Sequence, residues 1–288
     1  MLNYIMAILI FFFTLPIYAM KIVALSPNLT VIAHQIILNA NYKTKRSEPK
    51  IVGTIRYQGE PKYFSDFQNI GTSSAINIQK IILLNPDVIL AWGGASNIYQ
   101  LAQLQDLGYR VVTLHASNLY DISRVVKQVG LAIKLPKSAD NIAKKYLSDL
   151  DNLIKSNKSF DKVKVFIQLS SMPLYTVGNQ GVISDVIDIC GGKNIFDDLN
   201  REVARVNFLE VIKRQPDMIF IMKSNLELVR TTPVLVSIWR KWPFMSAVKG
   251  RNIYWINANL LSQNTPQIIL GIKNVCKFIS RFKRIRNN

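Results

Sequence analysis

Residues 77–94 read NIQKIILLNPDVILAWGG. Apolar residues recur at helical spacing as far as Leu84, and a helix has to end near there because Pro86 disfavours a helical residue before it. The next run, residues 88–92, is apolar at every position and stops at Gly93, as expected of a strand buried on both faces of a parallel sheet. The stretch therefore predicts a short helix that leads into a central strand.

The second half of the chain repeats this pattern. Residues 208–222 read FLEVIKRQPDMIFIM, again a short helix, an x-Pro-Asp turn and an apolar strand. Further strands are predicted at residues 21–25, 51–54, 110–114 and 162–169, and further helices at 30–38 with a Thr30 cap, 98–107 and 182–190. This alternation predicts an α/β fold of two lobes, each with a mainly parallel sheet covered by helices.

One amphipathic segment separates the two halves. Residues 138–156 place their apolar side chains on one helical face and contain no glycine or proline. Such a helix is stiff and would hold two lobes at a nearly fixed separation. We therefore expect a leader at 1–19, an N-terminal lobe at 20–136, a long rigid connecting helix at 137–159 and a C-terminal lobe at 160–288 with a basic tail.

The first residues decide the expected compartment. Residues 5–15 form an apolar run that includes a single threonine, Thr14. The run is too short to span a bilayer but is typical of a signal peptide, with Ala19 at the cleavage position. Residues 1–4 lack the usual Lys or Arg, so an uncleaved N-terminal anchor is the alternative. Export to the periplasm implies an oxidising environment in which two cysteines could pair.

The charge balance is strongly basic. The 36 basic and 18 acidic residues give a net charge of +18, which by itself would suit nucleic acid or an anionic surface. The surplus is spread along the chain, apart from a basic tail made of Lys277, Arg281, Lys283, Arg284 and Arg286. Because no nucleic-acid module or stripe of interleaved Arg and aromatic residues occurs, we predict a basic surface and no nucleic-acid partner.

Metal-site and catalytic patterns are scarce. Two Cys exclude zinc fingers built on repeated Cys pairs and iron–sulfur centres of the four-cysteine kind. With only two His, a multi-histidine site is not expected either, and no metal site is predicted. His34 and His115 are interpreted as structural, with a haem-iron ligand as the alternative for either. The paired glycines lack the GxxxxGK phosphate-loop pattern, which argues against nucleotide hydrolysis. Neither His has a Ser, a Cys or paired carboxylates nearby at helical spacing, so we predict that the protein is not an enzyme.

Four motifs carry a resemblance to a known family. Residues 21–27 (KIVALSP), 85–92 (NPDVILAW), 190–196 (CGGKNIF) and 265–270 (TPQIIL) resemble landmarks of the cluster-A, helical-backbone substrate-binding proteins of ABC importers, above all the cobalamin binders. Their order and spacing extend the resemblance over residues 21–280. Relatives in this family carry siderophores, haem or cobalamin.

The resemblance implies a ligand cleft between the lobes and no resident cofactor. Tyr57 and Tyr175 fall where the cobalamin binders have aromatic residues, and Trp92 and Gly93 end a strand that should face the cleft. Asn259 could bond an amide of the macrocycle. Core packing is the alternative for the three aromatic residues, and it is the expectation for Trp239, Trp242 and Trp255.

Several positions depart from the cobalamin binders. Pocket tryptophans of that group fall here on Ser73 and Val203, and an Asp-Trp pair falls on Asn259 and Leu260. The alternatives are therefore a receptor for another metal chelate or a basic envelope-interaction protein that has lost transport. An anionic siderophore would call for arginines, for which Arg56, Arg201 and Arg205 are candidates.

The resemblance also implies a disulfide and a membrane partner. The cobalamin binders have cysteines at the places of Cys190 and Cys276, so these two are expected to pair. An exposed Glu on each lobe of those proteins docks onto Arg residues of a membrane permease. Those docking positions fall here on Gln79 and Leu209, with Glu210 adjacent to the second. We expect a monomer that does not dock productively with a permease bearing such arginines.

Overall fold

A computed structural model describes residues 19–41, 47–57, 59–72, 75–94, 98–157, 161–223 and 237–287. Two parallel sheets, each covered by helices, form the centres of two lobes. Residues 1–18 of the leader expected at 1–19 lie outside the described residues, and so does Ser73. In the described part of the chain, no helix combines the length and the apolar character that crossing a membrane requires.

Lobe one is built on five parallel strands in the order β3-β2-β1-β4-β5. Its central strands read as continuous apolar runs because helices cover both faces of the sheet. The strands are β1 (Lys21–Ala24), β2 (Lys50–Thr54), β3 (Gln68–Asn69), β4 (Val88–Trp92) and β5 (Val111–Leu114), and the helices are α1 (Pro27–Asn39), α2 (Ile78–Leu84), α3 (Ile98–Asp106) and α4 (Leu119–Ala132).

Lobe two combines a parallel sheet in the order β12-β11-β6-β9 with a small antiparallel sheet in the order β10-β8-β7. Its strands are β6 (Val163–Gln168), β7 (Ser170–Ser171), β8 (Leu174–Val177), β9 (Gly192–Asn194), β10 (Val203–Arg205), β11 (Met218–Lys223) and β12 (Ile253–Asn257). Its helices are α6 (Val182–Ile189), α7 (Phe208–Arg214), α8 (Ser246–Lys249), α9 (Ala258–Leu261) and α10 (Ile268–Asn287).

Helix α5 (Pro136–Asn157) connects the lobes and shares its buried face with both of them. Ala139, Ala143, Tyr146 and Leu150 belong to one hydrophobic core that continues from lobe one into lobe two. Gly130 of α4 makes this packing possible, since a Cβ there would collide with the Cβ of Ala139. A helix embedded in a continuous core cannot bend freely, so the separation of the lobes is set by packing.

The two helices that precede the central strands begin in the same way. The side chain of Asn77 accepts a hydrogen bond from the backbone N–H of Lys80 at 2.9 Å, and Asn207 accepts one from the N–H of Glu210 at 2.8 Å. Each asparagine is thus an N-cap that satisfies a free donor in the first helical turn. The repeated sequence pattern corresponds to a repeated local structure.

The same two helices also end alike. Asn85 and Gln215 both adopt left-handed backbone angles, with φ of 44° and 47°. Two residues later, the Asp87 carboxylate accepts from the backbone N–H of Lys21 at 2.6 Å, and the Asp217 carboxylate accepts from that of Lys164 at 2.9 Å. The x-Pro-Asp turn therefore ties the end of each helix to the beginning of a neighbouring strand.

The predicted start of α1 was wrong. The helix begins at Pro27 and is capped by Ser26, whose hydroxyl accepts from the N–H of Leu29. Thr30 lies inside the helix, and its hydroxyl bonds the hydroxyl of Thr54 on β2 at 2.6 Å in a buried position. Proline suits the first helical turn because its missing N–H would have no partner there.

A disulfide joins Cys190, at the end of α6, to Cys276 in the middle of α10. Both residues are buried in the core that α5 shares. The bond closes a loop across 86 residues of lobe two. It fastens α10, which carries the basic tail, to the body of that lobe.

Removing this bond should lower the free energy of unfolding by about 4–5 kcal/mol, the chain-entropy value for a loop of 86 residues. Urea unfolding of the Cys190→Ser/Cys276→Ser variant against the oxidised protein measures the loss. As a control, reductant should destabilise the natural chain and leave the double variant unchanged. Equal stability of oxidised and reduced natural protein would contradict the expectation.

Candidate ligand cleft

The candidate site lies where the carboxyl ends of the parallel strands of one lobe face those of the other. In lobe one the chain leaves β1 toward β2 on one side and returns to β4 on the other. Open α/β sheets bind ligands in the crevice outside such a reversal point. Tyr57 follows β2 and Trp92 ends β4, so these two residues flank the end of β1.

Trp92 is half-buried and closes its strand beside His115. The two ring centroids lie 6.2 Å apart with tilted planes, and the backbone N–H of Gly93 donates to the carbonyl of Leu114 at 2.7 Å. A side chain at Gly93 would meet only ordinary contacts, whereas Gly94 has a φ of +82° that favours glycine. The backbone thus turns away directly after Trp92 and leaves the indole at the strand end.

Tyr57 is held by a network within lobe one. Its ring packs edge-on against Phe64, with centroids 5.5 Å apart, and its backbone N–H donates to the Glu60 carboxylate at 3.1 Å. Burial raises the pKa of Tyr57, so its hydroxyl is protonated at neutral pH. The Glu60 carboxylate also pairs with Arg56, whose guanidinium donates to the carbonyl of Phe64 as well.

A first bridge between the lobes starts at the same tyrosine. The side-chain amide of Gln263, in the loop after α9, donates to the Tyr57 hydroxyl at 2.8 Å. Asn259 lies beside this bridge, because its side-chain nitrogen would be 3.2 Å from a Cβ built on Gly59. Tyr57 and Asn259, which the sequence selected separately, therefore meet on one side of the cleft.

A second bridge lies near the end of β5. The Asp185 carboxylate of lobe two accepts a hydrogen bond from the backbone N–H of Leu119 at 3.2 Å. Tyr146 of α5 donates its hydroxyl to the carbonyl of Leu119 at 2.8 Å. Burial, reinforced by the neighbouring Asp188, raises the pKa of Asp185 despite this hydrogen bond. One residue of lobe one is thus held by the connecting helix and by lobe two.

A polar cavity of about 410 Å³ opens beside the second bridge. Residues 115–117 line it from lobe one, and residues 179–181, Asp185 and Glu202 line it from lobe two. Another cavity of about 450 Å³ lies among α1, α5 and the start of α10. None of the sequence-selected ligand residues lines either of these two cavities. The strand ends that carry Tyr57 and Trp92 therefore remain the candidate site.

Tyr175 lies on β8, in the small antiparallel sheet of lobe two. It is half-buried and pairs in register with Arg205 of β10, whose side chain is exposed. Val203, where the resemblance expects a tryptophan, is 49% exposed two residues before Arg205 on the same strand. A valine offers much less contact surface than an indole at that position.

The structure places His34 in the packing of lobe one. Its ring stacks on Tyr63 with centroids 4.0 Å apart and planes within 6°, and burial lowers its pKa. His34 is therefore uncharged at neutral pH, and its ring is part of an aromatic cluster. His115 is exposed at the cleft.

The remaining tryptophans pack in lobe two. Trp239 is fully buried, and its indole N–H donates to the side-chain oxygen of Gln168 at 2.8 Å. Trp242 and Trp255 are half-buried against the same core cluster. Trp239 therefore packs in the core, as expected. Trp242 and Trp255 pack against the core with part of their side chains, and the rest of each is accessible to solvent.

Gln263 and Asp185 were not identified from the sequence. Gln263 follows no motif, and Asp185 is one of several acidic residues near α6. Their partners are 206 and 66 positions away in the chain, so only the fold brings the groups together. The cysteine pair, by contrast, was visible through the resemblance.

Comparison with known proteins gives the class. A family model described as periplasmic binding protein matches residues 22–260, and the chain belongs to this family. It is similar to the vitamin B12-binding protein of Vibrio vulnificus strain YJ016, with 25% identity over 267 residues, 92% of each chain. The vitamin B12-binding protein of Vibrio cholerae is 26% identical over 265 residues, covering 92% of this chain and 90% of that one.

Solved structures agree with this class. The periplasmic vitamin B12 binding protein BtuF of Vibrio cholerae superposes with a TM-score of 0.76 at 26% identity, covering 92% of this chain and 98% of that one. The periplasmic heme binding protein HutB of Vibrio cholerae has the same TM-score of 0.76 at 15% identity, covering 90% and 98%. The second likeness concerns the fold alone.

Replacing Asp185 by Asn should raise the free energy of unfolding at neutral pH. Because the pKa of Asp185 is raised in the folded state, that state binds the proton more tightly than the unfolded chain does. The free energy of unfolding therefore falls as pH rises from the ordinary pKa of the carboxyl group through its raised pKa in the folded protein. Asn retains an oxygen for the Leu119 N–H and has no charge to desolvate. Urea unfolding should show a gain near pH 7 that vanishes near pH 3, below the ordinary pKa of the group.

The matched control is Asp197→Asn in the same lobe. Asp197 is exposed and pairs with Lys193 at 3.6 Å, so its neutralisation should change stability little or lower it. A loss of stability at neutral pH in Asp185→Asn would contradict the prediction. The carboxylate would then stabilise the bridge more than its burial costs.

Proposed function

We propose that this protein is the extracytoplasmic substrate-binding protein of an ABC importer that captures cobalamin or a related corrinoid between its lobes. The observation that supports this proposal most is the position of Trp92 at the chain reversal of lobe one, with Tyr57 on the other side of β1. The names of the relatives support the same ligand class. The corrinoid is cargo that leaves unchanged, so the protein needs no resident cofactor and catalyses no reaction.

The chemistry of the cleft suits a large neutral macrocycle. Half-buried aromatic side chains at Tyr57, Trp92 and Tyr175 offer flat apolar faces, and such faces supply much of the contact energy of a ring system. Asn259 and Gln263 offer amides at the first bridge, where the amide fringe of a corrinoid would lie. Gly93 keeps the backbone next to Trp92 free of a side chain.

The charges of the cleft weaken the case for an anionic siderophore. Arg56 is paired with Glu60, so it brings no uncompensated positive charge. Arg205, beside Tyr175, and Arg201 are both exposed, and these two residues favour an anionic chelate. A siderophore or haem receptor is therefore the second candidate, and a protein that has lost transport is the third.

The remaining parts of the proposal concern location and assembly. The apolar run at residues 5–15 is interpreted as a signal peptide that exports the chain to the periplasm, with an uncleaved anchor as the variant of this interpretation. The two lobes form one cleft within a single chain, so the protein acts as a monomer. Its macromolecular partner is a membrane permease.

Docking to that permease would use the first turns of α2 and α7. Both helices end near the starts of strands, at Asp87 and Asp217, so both begin toward the edge that carries the cleft. Gln79 is exposed in the first turn of α2, and Leu209 is 62% exposed at the matching place in α7. Neither position carries the carboxylate that an arginine socket requires.

Glu210 is a poor substitute for the missing carboxylates. It bonds the guanidinium of Arg214 at 2.9 Å, and Arg214 also forms two hydrogen bonds with Asp198, at 2.6 and 2.8 Å. These partners hold Glu210 within lobe two. A basic protein without free carboxylates at its docking helices would be repelled by arginines of a partner.

Truncating Trp92 should weaken corrinoid binding. Trp92→Ala removes the aromatic face at the chain reversal, and loss of a well-packed aromatic anchor costs about 1–3 kcal/mol. Titration calorimetry with cyanocobalamin, haem and a ferric siderophore measures the affinity. Cyanocobalamin should also quench tryptophan fluorescence in the natural chain and do so less in the variant.

Trp242→Ala is the matched control, because Trp242 packs beside Phe244 against the core of lobe two. It should leave the corrinoid affinity unchanged. Equal affinities for Trp92→Ala and the natural chain would assign Trp92 to the core. Binding of a siderophore or haem with no corrinoid binding at micromolar concentration would replace the proposed ligand by the second candidate.

Restoring two carboxylates should restore docking. The natural chain is expected not to stimulate ATP hydrolysis by a reconstituted cobalamin importer with arginine sockets, whereas Gln79→Glu combined with Leu209→Glu should stimulate it. The paired glutamates would meet the arginines from both lobes at once. Stimulation and uptake with the natural chain would refute the docking proposal.

A second double variant tests whether placement or charge is responsible. Gln105→Glu combined with Leu131→Glu adds the same two charges at exposed positions of α3 and α4. This variant should remain inactive. If it stimulates hydrolysis equally, the overall charge of the protein controls docking and the named positions do not.

A further inference from the structure

Helix α10 carries a row of cations that the cleft and the docking helices do not use. Its sequence, IILGIKNVCKFISRFKRIRN, contains six basic and no acidic residues. Lys273, Lys277, Arg281 and Arg284 recur every three or four residues and therefore share one arc of about 80° on the helix. All four are exposed. We call these four residues the α10 stripe.

The α10 stripe is not neutralised by the protein itself. None of its four cations forms an ion pair with another residue in the described ranges. On α5, by contrast, Lys144 pairs with Asp140 at 2.7 Å and Lys145 with Asp149 at 3.1 Å, both one turn apart. Like charges one turn apart destabilise a helix slightly. Repulsion between the cations of the α10 stripe therefore destabilises α10, whereas on α5 the paired carboxylates offset the charge of the lysines.

The positive charge extends beyond the stripe. Burial and the nearby Lys162 lower the pKa of Lys283. Arg286 pairs with Asp161 and also lies over the ring of Phe282, 5.6 Å from its centroid. Asp161 is the only carboxylate that pairs with the end of α10 in the described part of the chain. The last two turns remain strongly positive after this pairing.

Exposed apolar side chains accompany the cations. Leu270 is 54% exposed and falls within the arc of the stripe, one turn before Lys273, and Ile285 is 67% exposed next to Arg284. Single exposed apolar residues are ordinary on protein surfaces. Combined with a row of cations on one helix, they form the pattern of a helix that lies on a membrane, with apolar side chains among the headgroups and cations on the phosphates.

The opposite face of α10 is firmly attached to lobe two. Ile272, Val275 and Ile279 are buried in the shared core, and the disulfide fixes Cys276. The helix starts after β12 and α9 and reaches Asp161, which precedes β6. Its basic end therefore lies toward the amino ends of the strands, away from the cleft, and a surface bound there would leave the cleft open.

We propose that the α10 stripe binds the anionic surface of a phospholipid membrane. Lys273, Lys277, Arg281 and Arg284 contact lipid phosphates, and Leu270 and Ile285 enter the headgroup layer. This interaction is separate from ligand capture and from docking to a permease. In this membrane-bound state the cleft of the protein stays uncovered.

Flotation with lipid vesicles tests the proposal. The protein is produced from Met20, since the fold begins with β1 at Lys21 and the leader would itself bind lipid. It should float with vesicles of equal parts phosphatidylcholine and phosphatidylglycerol and not with phosphatidylcholine alone, and added salt should release it. Lys277→Gln/Arg281→Gln/Arg284→Gln should lower partitioning by about a hundredfold, since each cation near such a surface contributes roughly fivefold.

The matched control is Lys62→Gln/Lys137→Gln/Lys213→Gln. It removes the same charge from exposed positions elsewhere and should stay within about threefold of the natural chain. Circular dichroism of both variants checks that each is folded. Corrinoid titration, which does not depend on vesicles, reports separately on the proposed function.

Several outcomes would overturn the proposal. These are absence of flotation by the natural chain, equal flotation with neutral vesicles, and an equal loss in both triple variants. If the stripe variant loses binding to duplex DNA but floats as well as the natural chain does, the α10 stripe binds another polyanion and not the membrane. The expected selective loss on anionic vesicles supports the membrane surface.

Discussion

The contact between α4 and α5 is the constraint on which the rest of the structure depends. Gly130 allows the two helices to approach until Ala139 fills the space, and the core that begins there continues into both lobes. Tyr146 then holds Leu119 from α5, while Asp185 holds the same residue from lobe two. The width of the cleft follows from this packing, because no flexible linker joins the lobes in the described structure.

Much of the fold could be predicted because it rests on local pattern. The continuous apolar runs at β4 and β11, each preceded by an x-Pro-Asp turn, predicted strands whose bounds agree with the structure to within about one residue. The start of α1 was misplaced because Thr30 resembled a cap, although Ser26 followed by Pro27 was the stronger signal. Five short strands were missed, since two to four residues are too few to show a period: β3, β7, β8, β9 and β10.

The candidate site was only partly predictable. Trp92 could be placed at a strand end from sequence, because a buried strand followed by glycines is a local pattern. The bridge between Tyr57 and Gln263 could not, because it joins residues 206 positions apart through the packing of two lobes. The pairing of Arg56 with Glu60 was also invisible, although the two are four residues apart, because neither residue lies in a helix or a strand.

The stiffness of α5 has a consequence for how empty and loaded copies of the protein compete for a permease. Lobes that are fixed relative to each other present nearly the same outline with the cleft empty or filled. A permease that recognises this outline would accept empty and loaded receptors alike, so empty receptors would occupy it as competitors. The rate of import would then depend on the fraction of receptors that carry cargo as well as on their number, and an excess of receptor over ligand would slow uptake.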